Sequence, residues 1–390
     1  MKIMVRFLHS SDLHLDRPFK GLSELSDSAL QAVRQSTFSA WQKIVQYAID
    51  EQPDFVLLVG DSYDGSMRSL RAQKELQKGL QQLHTHNIPV IISCGANDYT
   101  EGDWARFTLP DNVTVLPTKT TTLTLQLANE SIKLTGCSYA HGEMPTALLD
   151  TYPQADKEML HIAMLYGEIK PAEAAMKHYD YLALGGRHQH AVIQESPRMV
   201  YCGTPQSTST TELGNKGFYD VTLTKDNCVM HFVRSAPILY VEQEVDASDI
   251  RYANDLMVLC HKTCSALRDK YPAVIVQITL INLTVEGSKL WHSTKPTEWL
   301  AVLRDMESEQ LPLVWLAGLD AITSAPRPVT NSAQQVIETM HSWSADDWQD
   351  VLSEIYQSGT VARLMQEQAL DMRKLLHEAE QLFLRKMQGN

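Results

Sequence analysis

The sequence is poor in cysteine. Its six cysteines are scattered over 390 residues, and no two of them form a C-x-x-C pair. This scatter excludes a disulfide scaffold and the paired-cysteine zinc sites, and it favours buried free thiols in a reducing cytosol. Cys260 and Cys264 lie one helical turn apart with His261 between them, so a metal clip on this helix is the alternative.

Long apolar runs and an excess of positive charge are also missing. No apolar run reaches the length of a membrane span, and no secretion signal opens the sequence. We therefore expect a cytoplasmic protein without a membrane partner. The net charge of −13 argues against a broad basic surface that coats nucleic acid. It leaves room for a local basic groove, or for charge that a partner supplies.

Strands and helices alternate through the first 235 residues. Apolar runs that predict buried strands alternate with helical patterns at 28–49 and 70–84, which is typical of a parallel α/β sheet. Later runs pair around 129–130 and 225–227 as antiparallel hairpins. We expect a parallel sheet and an antiparallel sheet that pack as a sandwich with helices outside. The predicted strands lie at 3–8, 55–59, 89–94, 113–116, 123–127, 132–137, 161–167, 181–186, 199–203, 218–223 and 228–233.

The pattern changes after residue 235. Residues 236–324 predict a small α+β domain, with strands near 241–245 and 274–280 and helices near 255–269 and 297–307. The prolines at 326 and 328 mark a linker, because proline does not fit inside a helix. Residues 325–390 predict a helical tail with an apolar stripe. That stripe either packs on its own domain or docks on the helix or coiled coil of a partner.

Four predicted strands end in motifs rich in metal-ligating side chains. Because the carboxyl ends of parallel strands meet at one edge of a sheet, these side chains should lie close together. Carboxylates and imidazoles are the ligands of divalent cations such as Mn²⁺. The motifs are Asp12-Leu-His14, Gly60-Asp61 with Asp64, Gly95-Ala-Asn-Asp98 and Gly185-Gly-Arg-His188.

The order of these motifs resembles the calcineurin-like metallophosphoesterase superfamily, whose pattern is D-x-H, GD-x-x-D, GNH-D/E, a lone His after an apolar strand, and GH-x-H. Residues 9–21, 203–206 and 212–217 are similar to the SbcD/YhaO type of DNA repair exonuclease subunit within it. The motifs that carry the resemblance lie in residues 1–235. Beyond residue 235 only the order of the predicted domains is similar. It implies an α/β fold: a metallophosphoesterase β-sandwich flanked by helices, a small α+β capping-type domain and a helical tail.

The resemblance implies two adjacent metal ions, about 3.5–4 Å apart, that clamp the attacking and leaving oxygens of a phosphoester. Every ligand position of the first site is kept, as Asp12, His14, Asp61 and His188. The second site would share Asp61. Its other positions hold Ala96, Tyr166 and Gly186, none of which replaces the Asn or His of the family, and Asn97 stands at the catalytic His position.

The losses fall on one site only, so we expect one divalent metal, Mn²⁺, or none. Asn97 does not titrate near neutral pH and cannot act as a general acid. A register shift that puts Asn97 on the metal would leave the catalytic His missing. His190 and His161 are the candidate substitute ligands, and alternation along an extended chain would turn His190 to the side of His188.

Three further residues of these motifs do not belong to the family's ligand set. Asp64 and Asp98 are expected to support the ligands or to be structural. Arg187 lies at a variable position, where it either contacts a phosphate or is an ordinary surface arginine.

The resemblance implies a subunit that works with an SbcC/YhaN-like, SMC-like coiled-coil ATPase, reaches DNA through that complex and pairs into a homodimer through helices 28–49 and 70–84. Because the second metal site lacks its ligands, the first hypothesis is a catalytically reduced subunit with a structural or DNA-sensing role. The alternatives are an active Mn²⁺-dependent DNA exonuclease or endonuclease with substitute ligands, and a phosphoesterase on a non-DNA substrate. Whether the chain is an enzyme stays open at this point.

Overall fold

The structure is a computed structural model that describes residues 4–22, 25, 27–67, 69–102, 107–127, 131–143, 148–308 and 310–323. The predicted linker and helical tail at 325–390 lie outside the described residues. No helix within the described ranges is both long and apolar enough to cross a membrane.

The described chain begins with alternating strands and helices and continues mainly as strands up to residue 246, much as the sequence predicts. The strands are β1 (Val5–Ser11), β2 (Phe55–Val59), β3 (Val90–Ser93), β4 (Val113–Val115), β5 (Thr121–Gln126), β6 (Ser131–Gly136), β7 (His161–Tyr166), β8 (Tyr181–Gly185), β9 (Ala191–Glu195), β10 (Arg198–Tyr201), β11 (Gly217–Leu223), β12 (Cys228–Arg234), β13 (Leu239–Asp246), β14 (Val274–Leu283) and β15 (Val314–Thr323). The helices are α1 (Asp27–Glu51), α2 (Leu70–Thr85), α3 (Pro171–Ala175), α4 (Ala253–Lys270), α5 (Val285–Ser293) and α6 (Pro296–Glu307).

Two six-stranded sheets form the sandwich, in the orders β12-β11-β1-β2-β3-β4 and β5-β6-β7-β8-β10-β9. In the first sheet β1 to β4 pair in parallel, and β11 pairs antiparallel with β1. In the second sheet β6, β7, β8 and β10 pair in parallel, with β5 and β9 antiparallel at the edges. The predicted division into one parallel and one antiparallel sheet is therefore wrong: both sheets are mixed, because the hairpin strands add to their edges.

The main core lies between the two sheets. The rings of Phe7 and Phe55 stack with centroids 5.2 Å apart, and Tyr181 of the opposite sheet meets Phe7 edge-on. These strands are buried on both faces, which explains their continuous apolar runs. A second core, built around Trp41 and Leu80, packs α1 and α2 on the outer face of the first sheet. A further core, which includes Ala174 of α3 and Leu182 of β8, covers the outer face of the second sheet. The layers are therefore helices, sheet, sheet, and then α3 with its neighbouring loops.

A third sheet, in the order β13-β14-β15, follows the sandwich. One core packs it against α4, α5 and α6. A smaller one, which includes Tyr240 and Trp315, joins it to Ala29 and Val33 of α1. The α+β character predicted for 236–324 is present, although α5 and β15 were not predicted. The boundary at 235 stays a prediction.

The sandwich brings five strand ends to one edge. Ser11, Val59 and Ser93 follow one another across the first sheet, and Tyr166 lies beside Gly185 in the second. The two sheets approach closely here, since a Cβ on Gly185 would lie only 1.9 Å from the carbonyl oxygen of Val59. The motif loops of both sheets consequently face one another.

We predict that Gly185→Ala lowers the free energy of unfolding by at least ~1–3 kcal/mol, because the new methyl group must push the sheets apart. It should also weaken Mn²⁺ binding. Gly214→Ala is the matched control: a Cβ there has no neighbour within 4 Å, and only its positive φ of 82° opposes the change, at ~1–2 kcal/mol. Denaturant unfolding and Mn²⁺ titration measure both effects. Equal Mn²⁺ affinity in the two variants would contradict the prediction.

Candidate metal centre

The loops after β1 and β2 hold their acidic and imidazole side chains on unusual backbone. Asp12, His14 and Asp61 have φ of 51°, 43° and 53°, a left-handed conformation that is uncommon for residues other than glycine, although Asp and His adopt it more often than most. Two backbone hydrogen bonds enforce it here: Asp12 N donates to Gly60 O at 3.0 Å, and His14 N donates to Asp61 O at 3.0 Å. These hydrogen bonds therefore fix the backbone from which the side chains of Asp12, His14 and Asp61 extend.

Three of the four predicted first-site ligands converge. One ligand atom from each of Asp12, His14 and His188 lies within 4.8 Å of the others. His14 Nε2 and His188 Nε2 are 2.9 Å apart. Asp61, the fourth predicted ligand, falls outside this closest group, but its Oδ2 lies 3.6 Å from His14 Nε2. The structure thus brings the first-site residues from both sheets to one point.

Each imidazole is oriented by a carboxylate on its other side. Asp64 Oδ1 lies 2.6 Å from His14 Nδ1, and Glu212 Oε1 contacts His188 Nδ1. We infer that each Nδ1–H donates to its carboxylate, which leaves both Nε2 lone pairs facing the same point. Metal-ligating histidines are held in this way. Two ligand atoms ~2.1 Å from one cation, at a right angle, are ~3 Å apart, so the pair fits one divalent ion.

The charges also favour a cation. Burial raises the pKa of Asp12 to about 6, with help from the neighbouring Asp61 carboxylate. Burial lowers the pKa of His14, but the hydrogen bond to Asp64 and the charges of Asp61, Asp64 and Asp12 outweigh it, so the net shift is upward. The shift of Asp12 therefore reports mainly its burial, and that of His14 reports the carboxylates around it. A divalent cation would offset the negative charge of these buried carboxylates.

The second site is filled by protein groups. Asp61 Oδ2 accepts a hydrogen bond from Tyr166 Oη at 2.6 Å and another from Asn97 Nδ2 at 2.5 Å. Asp61 Oδ1 accepts the backbone N–H of Asn97 at 2.8 Å. Burial, together with the charge of Asp61, raises the pKa of Tyr166, so its phenol stays protonated and donates. The carboxylate that two metals would share is instead satisfied by three donors.

The Tyr166 ring sits in a slot lined by glycines. A Cβ on Gly60 would lie 2.0 Å from its Cδ2, one on Gly95 would lie 2.7 Å from its Cε2, and one on Gly186 would lie 3.2 Å from its Cζ. Tyr139 packs edge-on against the ring at 5.2 Å and donates its hydroxyl to Tyr166 O at 2.7 Å. The tyrosine at 166 and the glycine at 186 are therefore complementary: the ring would crowd any side chain at 186.

Asp98 ties the ends of β2 and β3 together. Its carboxylate accepts the backbone N–H groups of Gly95 at 2.6 Å, Ser62 at 2.8 Å and Asp61 at 3.1 Å. Burial, helped by Asp61, raises its pKa to about 7. Ala96, beside it, joins the apolar cluster that includes Tyr166. These contacts agree with the structural role expected for Asp98.

The candidate substitute ligands lie in other surroundings. His190 stacks on Phe232 with centroids 4.4 Å apart. Both ring nitrogens of His161 are engaged, Nε2 with Thr135 Oγ1 and Nδ1 with the backbone N–H of Asp156, each at 2.8 Å. The alternation argument for His190 is wrong, because residues 186–190 form a loop between β8 and β9 rather than extended strand. Arg187 is exposed, with its guanidinium 5.8 Å from the Tyr201 ring.

Three residues of the site were missed in the sequence. Glu212 holds His188, and its other oxygen accepts the backbone N–H of Thr208 at 2.7 Å. Lys216 donates to the backbone oxygen of His188 at 3.0 Å. Arg17 Nη1 lies 3.1 Å from His14 Nε2. All three lie within the segments 9–21 and 212–217 that carried the family resemblance, which was the available signal.

The comparison with protein families agrees with this geometry. Residues 5–169 match the pattern of the calcineurin-like phosphoesterases. This chain carries a calcineurin-like phosphoesterase domain. The calcineurin-like phosphoesterase domain expected from the motifs is thereby confirmed over these residues.

Curated relatives of this chain include a protein named uncharacterized metallophosphoesterase YhaO, from Bacillus subtilis. It is 29% identical over 342 residues, which cover 83% of each chain. The DNA double-strand break repair protein Mre11 of Thermoplasma acidophilum is 24% identical over 265 residues, 61% of this chain and 68% of that protein. Mre11 of Aeropyrum pernix is 32% identical over 96 residues, 24% and 21% of the two chains. The chain is therefore related to YhaO and, over shorter stretches, to Mre11.

We predict that Glu212→Gln weakens Mn²⁺ binding by ~10–100-fold, because the carboxylate that orients His188 is lost. Glu173→Gln, on exposed α3, is the matched control and should bind Mn²⁺ normally. Isothermal titration of each variant with Mn²⁺ measures the difference. An unchanged affinity in Glu212→Gln would show that His188 does not ligate the ion.

We predict that Tyr166→Phe lowers the free energy of unfolding by ~1.5–3 kcal/mol, because a buried hydrogen bond to a carboxylate is removed. Tyr152→Phe is the matched control, since its hydroxyl donates to the uncharged Met164 O at 2.7 Å. That loss should cost ~0.5–1.5 kcal/mol. Denaturant unfolding in the presence of a chelator compares them, and a smaller cost for Tyr166→Phe than for Tyr152→Phe would contradict the account.

Proposed function

We propose that this chain is an SbcD/YhaO-like subunit of a DNA-processing complex, with one Mn²⁺ at Asp12, His14, His188 and Asp61, and that it cleaves phosphodiesters feebly or not at all. Its partner in this proposal is a cytoplasmic, SMC-like coiled-coil ATPase of the SbcC/YhaN type. The relationship to YhaO over most of both chains supports the assignment. The relationship to the double-strand break repair protein Mre11 supports DNA as the substrate class.

The contacts of Asp61 carry the proposal of reduced activity. Tyr166 Oη and Asn97 Nδ2 both donate to Asp61 Oδ2, at 2.6 and 2.5 Å. A second cation would have to displace both donors, and the nearby positions 96 and 186 offer no ligand atom to compensate. Tyr166 and Asn97, which stand where the family has ligand and catalytic residues, therefore replace the metal contacts of Asp61 with hydrogen bonds.

The chemistry of the remaining half follows from its residues. One bound divalent ion would polarise a phosphoryl oxygen or acidify a water. Asp64 and Glu212 hold the Nδ1 atoms of His14 and His188, so that both Nε2 atoms are aimed at one point, and an ion held there would position a phosphate. Asn97 stands at the catalytic His position and has no proton of suitable pKa to give to a departing oxygen. Binding is therefore retained while cleavage loses its general acid.

The rest of the molecule is consistent with a subunit that shares its DNA contacts. The net charge of −13 disfavours extensive DNA binding by this chain alone. In the proposal the ATPase supplies the remaining DNA surface, α1 and α2 form the homodimer face, and the segment 325–390 docks the coiled coil. Removal of 325–390 should abolish co-purification with the ATPase.

The test of reduced activity is cleavage of end-labelled single- and double-stranded DNA by the full chain in Mn²⁺. We expect cleavage close to the rate without protein. Restoring the family residues with Ala96→Asn, Asn97→His, Tyr166→His and Gly186→His together should raise the rate by ~100-fold or more, since a positioned general acid contributes that much.

Two controls keep this test decisive. If the wild-type chain cleaves DNA and Asp61→Ala abolishes the cleavage, the chain is an active nuclease and the proposal is wrong. If circular dichroism shows that the restored variant does not fold, the comparison of wild type with Asp61→Ala still decides whether the chain is an active nuclease. A restored variant that folds and gains a second Mn²⁺ without gaining activity would contradict the role given to the lost ligands.

A further inference from the structure

Arg17 lies at the edge of the metal centre, on the loop that follows His14. Its Nη1 is 3.1 Å from His14 Nε2, one of the atoms aimed at the metal position. Its Nε is 3.3 Å from Asp64 Oδ2, and its side chain is 22% exposed. A guanidinium thus reaches both the convergence point of the ligands and the solvent.

Asp64 fixes this arginine relative to the ligands. One of its oxygens holds His14 Nδ1 at 2.6 Å, and the other holds Arg17 Nε at 3.3 Å. The loop itself is fixed by backbone hydrogen bonds, from Leu15 N to Ser62 O at 3.1 Å and from Arg17 N to His14 O at 3.1 Å. Arg17 is therefore held in place beside the metal position and does not move as a free surface side chain.

The positive charge of Arg17 would be useful beside a single metal ion. In a two-metal centre the second cation neutralises part of the phosphate charge, but here Tyr166 and Asn97 occupy that side of Asp61 and bring no net charge. Arginine remains charged at every physiological pH, and its planar fork matches two oxygens of a phosphate. A phosphate bound by one metal ion at this site lies within reach of the guanidinium.

We infer that Arg17 is a substrate-binding residue of this site, which holds a phosphate group against the single metal ion and supplies the positive charge that a second cation would otherwise give. This inference rests on the proposed function, since it takes phosphate binding at one metal as its starting point. The ligand is a phosphate dianion, whose source is either the terminal monoester of a DNA strand or free phosphate. The site would then bind such a group and release it uncleaved.

The test uses the full chain loaded with Mn²⁺. Isothermal titration with inorganic phosphate measures the free ion, and fluorescence anisotropy compares one labelled oligonucleotide carrying either a 5′-phosphate or a 5′-hydroxyl. Arg17→Ala should weaken the binding of inorganic phosphate by ~10–100-fold, the usual loss for a charge-assisted hydrogen-bonded pair. If the strand end is the source of the phosphate, binding of the 5′-phosphorylated oligonucleotide should weaken by the same factor. Arg17→Lys should recover only part, because the fork is gone.

Two measurements separate binding from a merely structural role. Mn²⁺ affinity in Arg17→Ala should stay close to that of the wild type, whereas a structural partner of Asp64 would lower it together with phosphate affinity. Arg251→Ala, on an exposed loop outside the metal centre, is the matched control and should change neither. An Arg17-dependent preference for the 5′-phosphorylated strand identifies the strand end as the source, and an Arg17-dependent effect on inorganic phosphate alone identifies the free ion.

The inference and the proposed function fail separately. If Arg17→Ala binds both probes as tightly as the wild type, Arg17 is structural and the inference is wrong, while the one-metal account stands. If the wild-type chain cleaves the oligonucleotide and Asp61→Ala stops it, the proposed function is wrong. Even then, titration with inorganic phosphate decides the role of Arg17. Weaker binding by Arg17→Ala than by the wild type supports a phosphate contact, and Asp61→Ala, measured in the same way, shows how much binding depends on the metal centre.

Discussion

The hydrogen bonds to the carboxylate of Asp61 determine what this site can hold. A carboxylate between two metals must keep a lone pair for each, whereas here one oxygen accepts both the Tyr166 hydroxyl and the Asn97 amide. Both donors are neutral, so they stabilise the buried charge without adding one. The bond to Tyr166 depends on the glycine slot around its ring. The two sheets, the three strand-end glycines and the phenol therefore form one packing unit.

The two halves of the centre differ in how their residues are supported. On one side His14 and His188 are each held at Nδ1 by a carboxylate and present Nε2 to a common point. On the other side the positions that would carry ligands are taken by an aromatic ring and by residues without donor atoms. Among the described residues of the centre, carboxylates that orient imidazoles are found only on the first side, which supports the proposal of one metal centre there. In that proposal the asymmetry lets the site bind a phosphate without hydrolysing it.

The sequence predicted that the motif residues lie close together, because strand ends of a parallel sheet must share an edge and the motifs follow strands directly, and the structure brings them together. Glu212 lies in a segment that carried the family resemblance, but its contact with His188, 24 positions away, could not be predicted because no periodicity links the two residues. It also misplaced His190, because alternation holds only in extended chain. The mixed sheets were missed for a related reason: a hairpin pattern shows that two strands pair, but not which sheet edge they join.

The most direct test of this account is anomalous diffraction at the manganese edge from crystals of the full chain soaked in Mn²⁺. We expect one strong peak, within ligand distance of Asp12, His14 and His188, and the Tyr166 hydroxyl still bonded to Asp61. A second peak of comparable height on the other side of Asp61, with Tyr166 turned away, would contradict it.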